Sequence, residues 1–245
     1  MDDREWMARA LALAARGSGL TSPNPAVGAV IVRDGTVVGE GWHSMAGALH
    51  AEAEALAAAG ARARGATCYV TLEPCAHHGR TPPCVEALIA SGVARVVAAC
   101  RDPHPLVDGR GLARLGAAGV DVAVGVGEPE ARALNRAFFV AVAAGRPHVT
   151  LKSAMTLDGK IAAWDGESRW ITGKAARREA HRLRFAADAV LVGIGTVLRD
   201  DPELTVRVPD APPKEPFRVV ADSRLRIPPD ARLLRAGDPG RAVVA

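Results

Sequence analysis

The chain has 245 residues, enough for one large domain or two ordinary ones, and 49% hydrophobic with 24% charged residues is a globular mix. A formal charge of +4 mildly favours anionic ligands such as phosphates, but no Lys/Arg-rich run with interleaved aromatics occurs, so a nucleic-acid surface is not indicated. No apolar run reaches the ~18 residues of a membrane span, and the N-terminus lacks a basic-then-apolar signal pattern. A cytoplasmic protein that touches no membrane is expected. There the four cysteines indicate thiols or a metal site rather than disulfides.

In chain order, residues 3–16 repeat at helical period, with Trp6, Met7, Ala10, Leu11 and Ala14 on one face. Val27–Arg33 and Thr36–Trp42 are apolar runs joined by Asp34–Gly35, a hairpin signal because that pair accepts positive φ. His50–Ala59 reads as a short helix closed by Gly60, Thr67–Leu72 as a strand, and Pro82–Ala90 as a helix that stops at Gly92. Val93–Cys100 is a strand, Gly111–Ala118 a helix, Val120–Val124 a strand and Glu128–Ala144 one longer helix. Strands alternating with helices predict an α/β layer, largely parallel after the hairpin. Gly145–Arg146–Pro147 breaks the pattern, which places a domain boundary between residues 1–146 and 147–245. The second region is expected to hold a strand at His148–Ala154 and a helix from an N-cap at Thr172 to about Ala186. A buried-type strand at Ala189–Gly193 should follow, then strands at Leu204–Val208 and Phe217–Ala221, and a strand beginning at Ala242–Ala245.

His50–Ala51–Glu52 opens a helix, Pro74–Cys75 follows a strand, and Cys84 stands nine residues further on at the next helix start. A Cys₂His set leaves the fourth tetrahedral position of a zinc ion open, the arrangement of a catalytic rather than a structural site. Zinc lowers the pKa of water from about 15.7 to roughly 7, and a helix N-terminus favours the Cys84 thiolate. Glu52 supplies the proton shuttle that hydrolysis of a ring amidine requires. Residues i and i+2 of a helix point about 200° apart, so His50 and Glu52 converge on one metal only from the first turn or the cap. A closed structural zinc site, or no metal, is the plainer alternative; Cys68 and Cys100 lie on apolar strands and read as buried free thiols. His-x-Glu followed by Pro-Cys matches the zinc-deaminase signature, except that the second cysteine comes later than usual.

The segment Thr71–Leu–Glu–Pro–Cys75–Ala–His–His–Gly–Arg–Thr–Pro–Pro–Cys84 closely resembles the riboflavin-biosynthesis pyrimidine deaminase/reductase family, which has this long Cys–Cys spacing. Thr21–Ser–Pro–Asn–Pro–Ala–Val–Gly28, Gly41–Trp–His43, Asp102–Pro–His–Pro105, Lys152–Ser–Ala–Met–Thr–Leu–Asp–Gly–Lys160 and Gly195–Thr–Val–Leu–Arg–Asp–Asp–Pro202 fit it too. His104 stands where the family usually has Asn, and Thr156 where it usually has Ser. The resemblance implies a cytidine-deaminase-like three-layer domain followed by a partial dihydrofolate-reductase-like α/β domain. The first would deaminate 2,5-diamino-6-(5-phosphoribosylamino)pyrimidin-4-one with Zn2+, and the second would reduce the ribosyl chain to ribityl with NADPH. It also implies that Asn24, His43 and His77 hold the pyrimidine and that Arg80 assists with the phosphate. In the second half it places Ala154, Trp170, Thr196, Asp200 and Ser223 at the nicotinamide cofactor, and Lys152, Ser168, Arg184, Leu204 and Arg207 on the substrate side.

Read from the residues alone these positions are uneven. Asn24 between two prolines suits either a positioned amide or a plain turn, Trp170 reads equally as core, and Arg184 and Arg207 as surface charges. Arginine is nevertheless the natural bidentate partner of a phosphate. The family's reductase domain continues beyond the point where this sequence stops, so the chain is expected to be C-terminally truncated with an impaired reductase half. A homo-oligomer is expected. The alternatives are a deaminase of another nucleobase-like amidine and a catalytically silent zinc-binding module.

Overall fold

The computed structural model describes residues 2–77, 82–209 and 211–245. The chain divides into two compact units, Met1–Val149 and Thr150–Ala245.

In the first unit, α1 (Asp3–Ala15) starts from Asp2, whose carboxylate accepts the Glu5 N–H at 2.9 Å while the Glu5 carboxylate accepts the Asp2 N–H at 2.7 Å. β1 (Gly28–Arg33) and β2 (Thr36–Trp42) form the expected hairpin, with Asp34 at φ 51° and Gly35 at φ 71°. β3 (Thr67–Val70) pairs antiparallel with β1, and β4 (Arg95–Ala98) and β5 (Asp121–Val124) add in parallel, giving the order β2-β1-β3-β4-β5.

Alternation along the strands builds two cores. Val30, Tyr69 and Val97 face α1, while Ile31, Cys68, Val70 and Val96 face the opposite layer. That layer holds α2 (Ala51–Ala59), α3 (Cys84–Ser91) and α4 (Arg110–Ala117). In α2 the stripe Ala51, Ala55 and Ala59 is buried against β2. A Cβ at Gly39 would stand 2.1 Å from the Ala55 carbonyl oxygen, and one at Gly41 2.4 Å from that of Ala51. Only glycine lets the helix backbone come so close, and this contact fixes the head of α2, where His50 and Glu52 lie.

The single helix expected over Glu128–Ala144 is two helices, α5 (Glu128–Leu134) and α6 (Arg136–Ala144). Asn135 between them leaves helical geometry (φ −103°, ψ 23°) and turns its amide inward, where it is 5% exposed and hydrogen-bonded to Ala26. The short side-chain amide competes for backbone partners, so the apolar periodicity that suggested one helix is interrupted.

The second unit contains α7 (Lys174–Ala186), β6 (Ala189–Gly193), α8 (Ile194–Asp200), β7 (Phe217–Ala221), α9 (Arg232–Arg235) and β8 (Ala242–Val244). The strands form a parallel sheet in the order β6-β7-β8. One face packs on Ile194, Val197, Ala231 and Leu233; the other leaves Leu191, Phe217 and Val243 exposed. β6 is therefore not a strand buried on both faces, as its apolar run had suggested. Residues 148–154 and 204–208 are not strands. Val149 and Leu151 lie in solvent with no described strand beside them, and Leu204 adopts φ 55°, outside the extended region. Gly173, not Thr172, caps α7, and the Thr172 carbonyl accepts a hydrogen bond from Arg177 instead. Trp170 is not core: it is 72% exposed, with the Arg177 guanidinium 4.2 Å from its ring centroid.

Candidate metal centre

His50 is the N-cap of α2, with extended backbone (φ −72°, ψ 153°). Its side chain therefore leaves the helix in a different direction from a helical residue, which removes the 200° obstacle and lets Glu52 in the first turn face the same space. The His50 Nδ1 lies 3.2 Å from the Cys84 Sγ and 3.7 Å from the Cys75 Sγ. The three donor atoms all lie within 4.8 Å of one another. Zn–N and Zn–S bonds of 2.0–2.1 and 2.3 Å at tetrahedral angles put a nitrogen and a sulfur about 3.5 Å apart, so one zinc ion fits the set. Cys84 is the first residue of α3, and its backbone N–H donates to the Cys75 Sγ at 3.3 Å. Cys68 and Cys100 are fully buried and apart from this cluster. Burial pushes both thiols up, that of Cys100 to about 12.

The electrostatics divide the two site sulfurs. The hydrogen bond with Cys84 pulls the Cys75 thiol down to about 4, and the same bond pushes Cys84 up. The Cys75 hydrogen bond raises His50 above its ordinary value. Glu52 is 4% exposed, and burial first, then the negative charge on Cys75, pushes its carboxyl up to about 7. A carboxyl that titrates near neutrality is suited to accept and return a proton.

Beside this set His43 is 4% exposed, its ring edge-on to His50 with centroids 5.7 Å apart. Its Nδ1 lies 3.0 Å from the Leu49 carbonyl oxygen, and its Nε2 lies 3.4 Å from the Asn24 Nδ2. Asn24, His43, His50, Cys75 and Cys84 are thus brought together. His77, two residues after Cys75, stacks on His104 with centroids 6.3 Å apart. Arg80 lies outside the described residues.

Two buried polar residues hold this region without having been singled out in the sequence. Asn135 binds the backbone of Ala26. Glu73, 3% exposed, accepts the backbone N–H groups of Asp102, Gly109, Gly111 and Leu112 at 2.9–3.3 Å. An acidic residue inside the apolar run before Pro74–Cys75 was the available signal for Glu73; Asn135 offered none beyond a polar residue within a helical pattern.

In the second unit Arg184, Leu204 and Arg207 come together. Arg184 donates to the Thr205 carbonyl at 2.5 Å, and the Arg207 N–H donates to the His181 Nδ1 at 3.2 Å. Burial and then the charge of Arg207 lower the Arg184 guanidinium. Thr196 in the first turn of α8 and Ser223 just beyond β7 sit past the carboxyl ends of adjacent parallel strands, where ligands of open α/β sheets bind. Asp200 ends α8, and its carbonyl accepts from Arg169 beside Trp170 at 3.4 Å. Ser168 and Trp170 line an open cleft of about 750 Å³, and Lys152 and Ala154 lie in irregular chain.

Two family models match: the cytidine and deoxycytidylate deaminase zinc-binding region over residues 1–100, and the RibD C-terminal domain over residues 147–245. The riboflavin biosynthesis protein RibD of Aquifex aeolicus is 52% identical over 99% of this chain and 68% of its own length. That of Escherichia coli is 51% identical over 96% and 67%. Among solved structures, Acinetobacter baumannii RibD superposes with a TM-score of 0.93 at 48% identity, over 99% of this chain and 68% of that one. A Thermotoga maritima diaminohydroxyphosphoribosylaminopyrimidine deaminase/5-amino-6-(5-phosphoribosylamino)uracil reductase gives a TM-score of 0.91 at 41% identity, over 99% and 73%. The chain thus spans about two thirds of the length of the curated relatives it matches. With the zinc-type donor set in its first unit and a reductase-type domain in its second, the chain belongs to the RibD family of riboflavin-biosynthesis proteins.

Proposed function

We propose that residues 1–146 hydrolyse the ring amine of 2,5-diamino-6-(5-phosphoribosylamino)pyrimidin-4-one, releasing ammonia and leaving a ring carbonyl. The observation that carries this is a His50–Cys75–Cys84 donor set with the buried Glu52 carboxyl beside it, a pairing that a purely structural zinc site does not need. Bound to His50, Cys75 and Cys84, zinc supplies Lewis acidity that brings the pKa of water to roughly 7. Glu52 takes a proton from the attacking water and delivers it to the ring nitrogen, then moves the second proton to the departing amine. Asn24, His43 and His77 hold the pyrimidine against this group, while Arg80 assists with the phosphate.

Residues 147–245 belong to a reductase-type domain whose hydride donor is NADPH. We place the cofactor along Ala154, Trp170, Thr196, Asp200 and Ser223, and the ribosyl substrate among Lys152, Ser168, Arg184, Leu204 and Arg207. The absence of a basic, aromatic-studded run supports a small-molecule enzyme that binds no nucleic acid. No helix among the described residues is long and apolar enough to cross a membrane, and we propose a cytoplasmic homo-oligomer. The test is ammonia release by the zinc-loaded chain, then NADPH oxidation on the product. Glu52→Gln should abolish ammonia release while one zinc per chain stays bound; continued release by that variant would refute the proton-shuttle role.

A further inference from the structure

Ala26 lies between the turn that carries Asn24 and the first residue of β1. The Asn24 N–H closes that turn on the Thr21 carbonyl at 2.8 Å, and the Gly28 N–H is held by the Thr71 hydroxyl at 3.1 Å. At Ala26 both backbone groups are held by one side chain. The Ala26 N–H donates to the Asn135 Oδ1 at 2.8 Å, and the Asn135 Nδ2 donates to the Ala26 carbonyl at 2.8 Å. Both residues are 5% exposed, so neither backbone group has water as a substitute partner.

The amide of Asn135 thus does for Ala26 what a neighbouring strand residue would do, across 109 positions of sequence. Only a group with one acceptor and one donor at this reach serves both bonds. Aspartate keeps the acceptor but sets a carboxylate oxygen against the Ala26 carbonyl; alanine leaves both groups unpaired. Two residues upstream, Asn24 reaches the His43 Nε2, and the His43 Nδ1 is anchored at Leu49, next to His50. The clamp therefore ends at the substrate face of the metal centre.

We propose that Asn135 is a positioning residue for substrate recognition: by pairing with Ala26 it sets the Asn24 amide against His43, and it does so without touching substrate or metal. This rests on the deaminase reading above. The experiment is a double-mutant cycle on the zinc-loaded full chain, with Asn24→Ala, Asn135→Ala and the two combined, reading KM and kcat for ammonia release together with zinc per chain. Displacing a recognition group by about 1 Å costs up to about 100-fold. Asn135→Ala should therefore raise KM roughly 10- to 100-fold, change kcat less, and keep one zinc per chain. On the Asn24→Ala background the same substitution should add less than about 2-fold, because coupled residues do not add. If Asn135→Ala loses helix by circular dichroism, the isosteric Asn135→Asp takes its place in the cycle. A KM within about 2-fold of wild type, or effects that multiply fully in the double variant, would overturn the positioning role. No ammonia from the wild type would instead overturn the deaminase reading, and this inference with it.

Discussion

Replacing Glu73 by Gln tests how far one buried carboxylate holds the metal-side loops together. Its Oε1 accepts the N–H groups of Gly111 and Leu112 at 2.9 and 3.3 Å, and its Oε2 those of Asp102 and Gly109 at 3.2 and 2.9 Å. Gly111 and Leu112 are the second and third residues of α4, whose own N-cap, Gly109, has no side chain to cap it. Glu73 supplies that cap from a distant strand end and places its charge at the positive end of the helix dipole. Whichever way a Gln amide turns, its NH₂ faces two N–H donors, so two hydrogen bonds are lost and two buried donors are orphaned. Hydrogen bonds to a charged acceptor contribute about 1.5–3 kcal/mol each. One of each pair is long, and a neutral amide is cheaper to bury than a carboxylate, so the net loss is about 3 kcal/mol. For a unit of this size each kcal/mol shifts Tm by roughly 2–4 °C, which gives a fall of roughly 6–12 °C. Tryptophan fluorescence during a thermal ramp reads the first unit: Trp6 is 6% exposed, whereas Trp164 and Trp170 are already in solvent at 99% and 72%. Both proteins should be zinc-saturated. A midpoint within about 2 °C of wild type would show that the four contacts add nothing that water or a relaxed loop cannot replace, and the reasoning would fail.

Two further outcomes follow from the same structure. The Arg95 hydrogen bonds, helped by the Tyr69 hydroxyl, lower the Asp3 carboxyl below its ordinary value against a partial opposing effect of burial. The stabilisation from Asp3 is therefore complete above its unfolded pKa of about 3.9 and is lost as pH falls through the lower folded value. The Tm advantage of wild type over Asp3→Asn should be full at pH 6 and shrink below pH 4; an advantage that grew on acidification would contradict the pairing. Removing zinc by chelation should expose the half-buried Cys75, whose thiol is lowered, to iodoacetamide, but not Cys84, Cys68 or Cys100, which are buried with raised thiols. Peptide mapping should find one labelled cysteine, Cys75, after chelation and none before, and label on Cys68 would refute the assignment.

The parts of the molecule legible in sequence were those whose physics is local. Asp34–Gly35 announces a hairpin because its two positive φ angles must be met by that pair. His50, Glu52, Cys75 and Cys84 announce a metal site because ligand chemistry restricts the residue types and strand–helix junctions restrict their spacing. The second unit was less legible. Segments 148–154 and 204–208 have the apolar composition of strands yet remain irregular, because a strand forms only where another offers its backbone, and composition does not carry that information. α8 went unread because it begins directly from the last residue of β6, with no polar cap to mark the change of period.

Glu73 and Asn135 show why the site itself was only half legible. Each satisfies backbone groups that no strand or helix ladder satisfies, Glu73 across 29 to 39 positions and Asn135 across 109. No spacing rule covers such distances, and either residue alone reads as an ordinary polar position. Yet a buried loop must have its N–H and C=O groups closed by something, or it would not hold one shape. In this fold α1 and α2 pack on opposite faces of one sheet, and the site lies in the loops at one end of β1, β2 and β3, where ladder pairing has run out. Single side chains therefore take over the pairing there. The two differ in what they hold: Glu73 caps a helix and ties down the Asp102–Leu112 segment, so its loss should appear mainly in stability. Asn135 holds one residue beside Asn24, so its loss should appear mainly in KM. If both substitutions lowered stability and left KM alone, the Asn24 loop would be positioned by the His43 contact without help from Asn135.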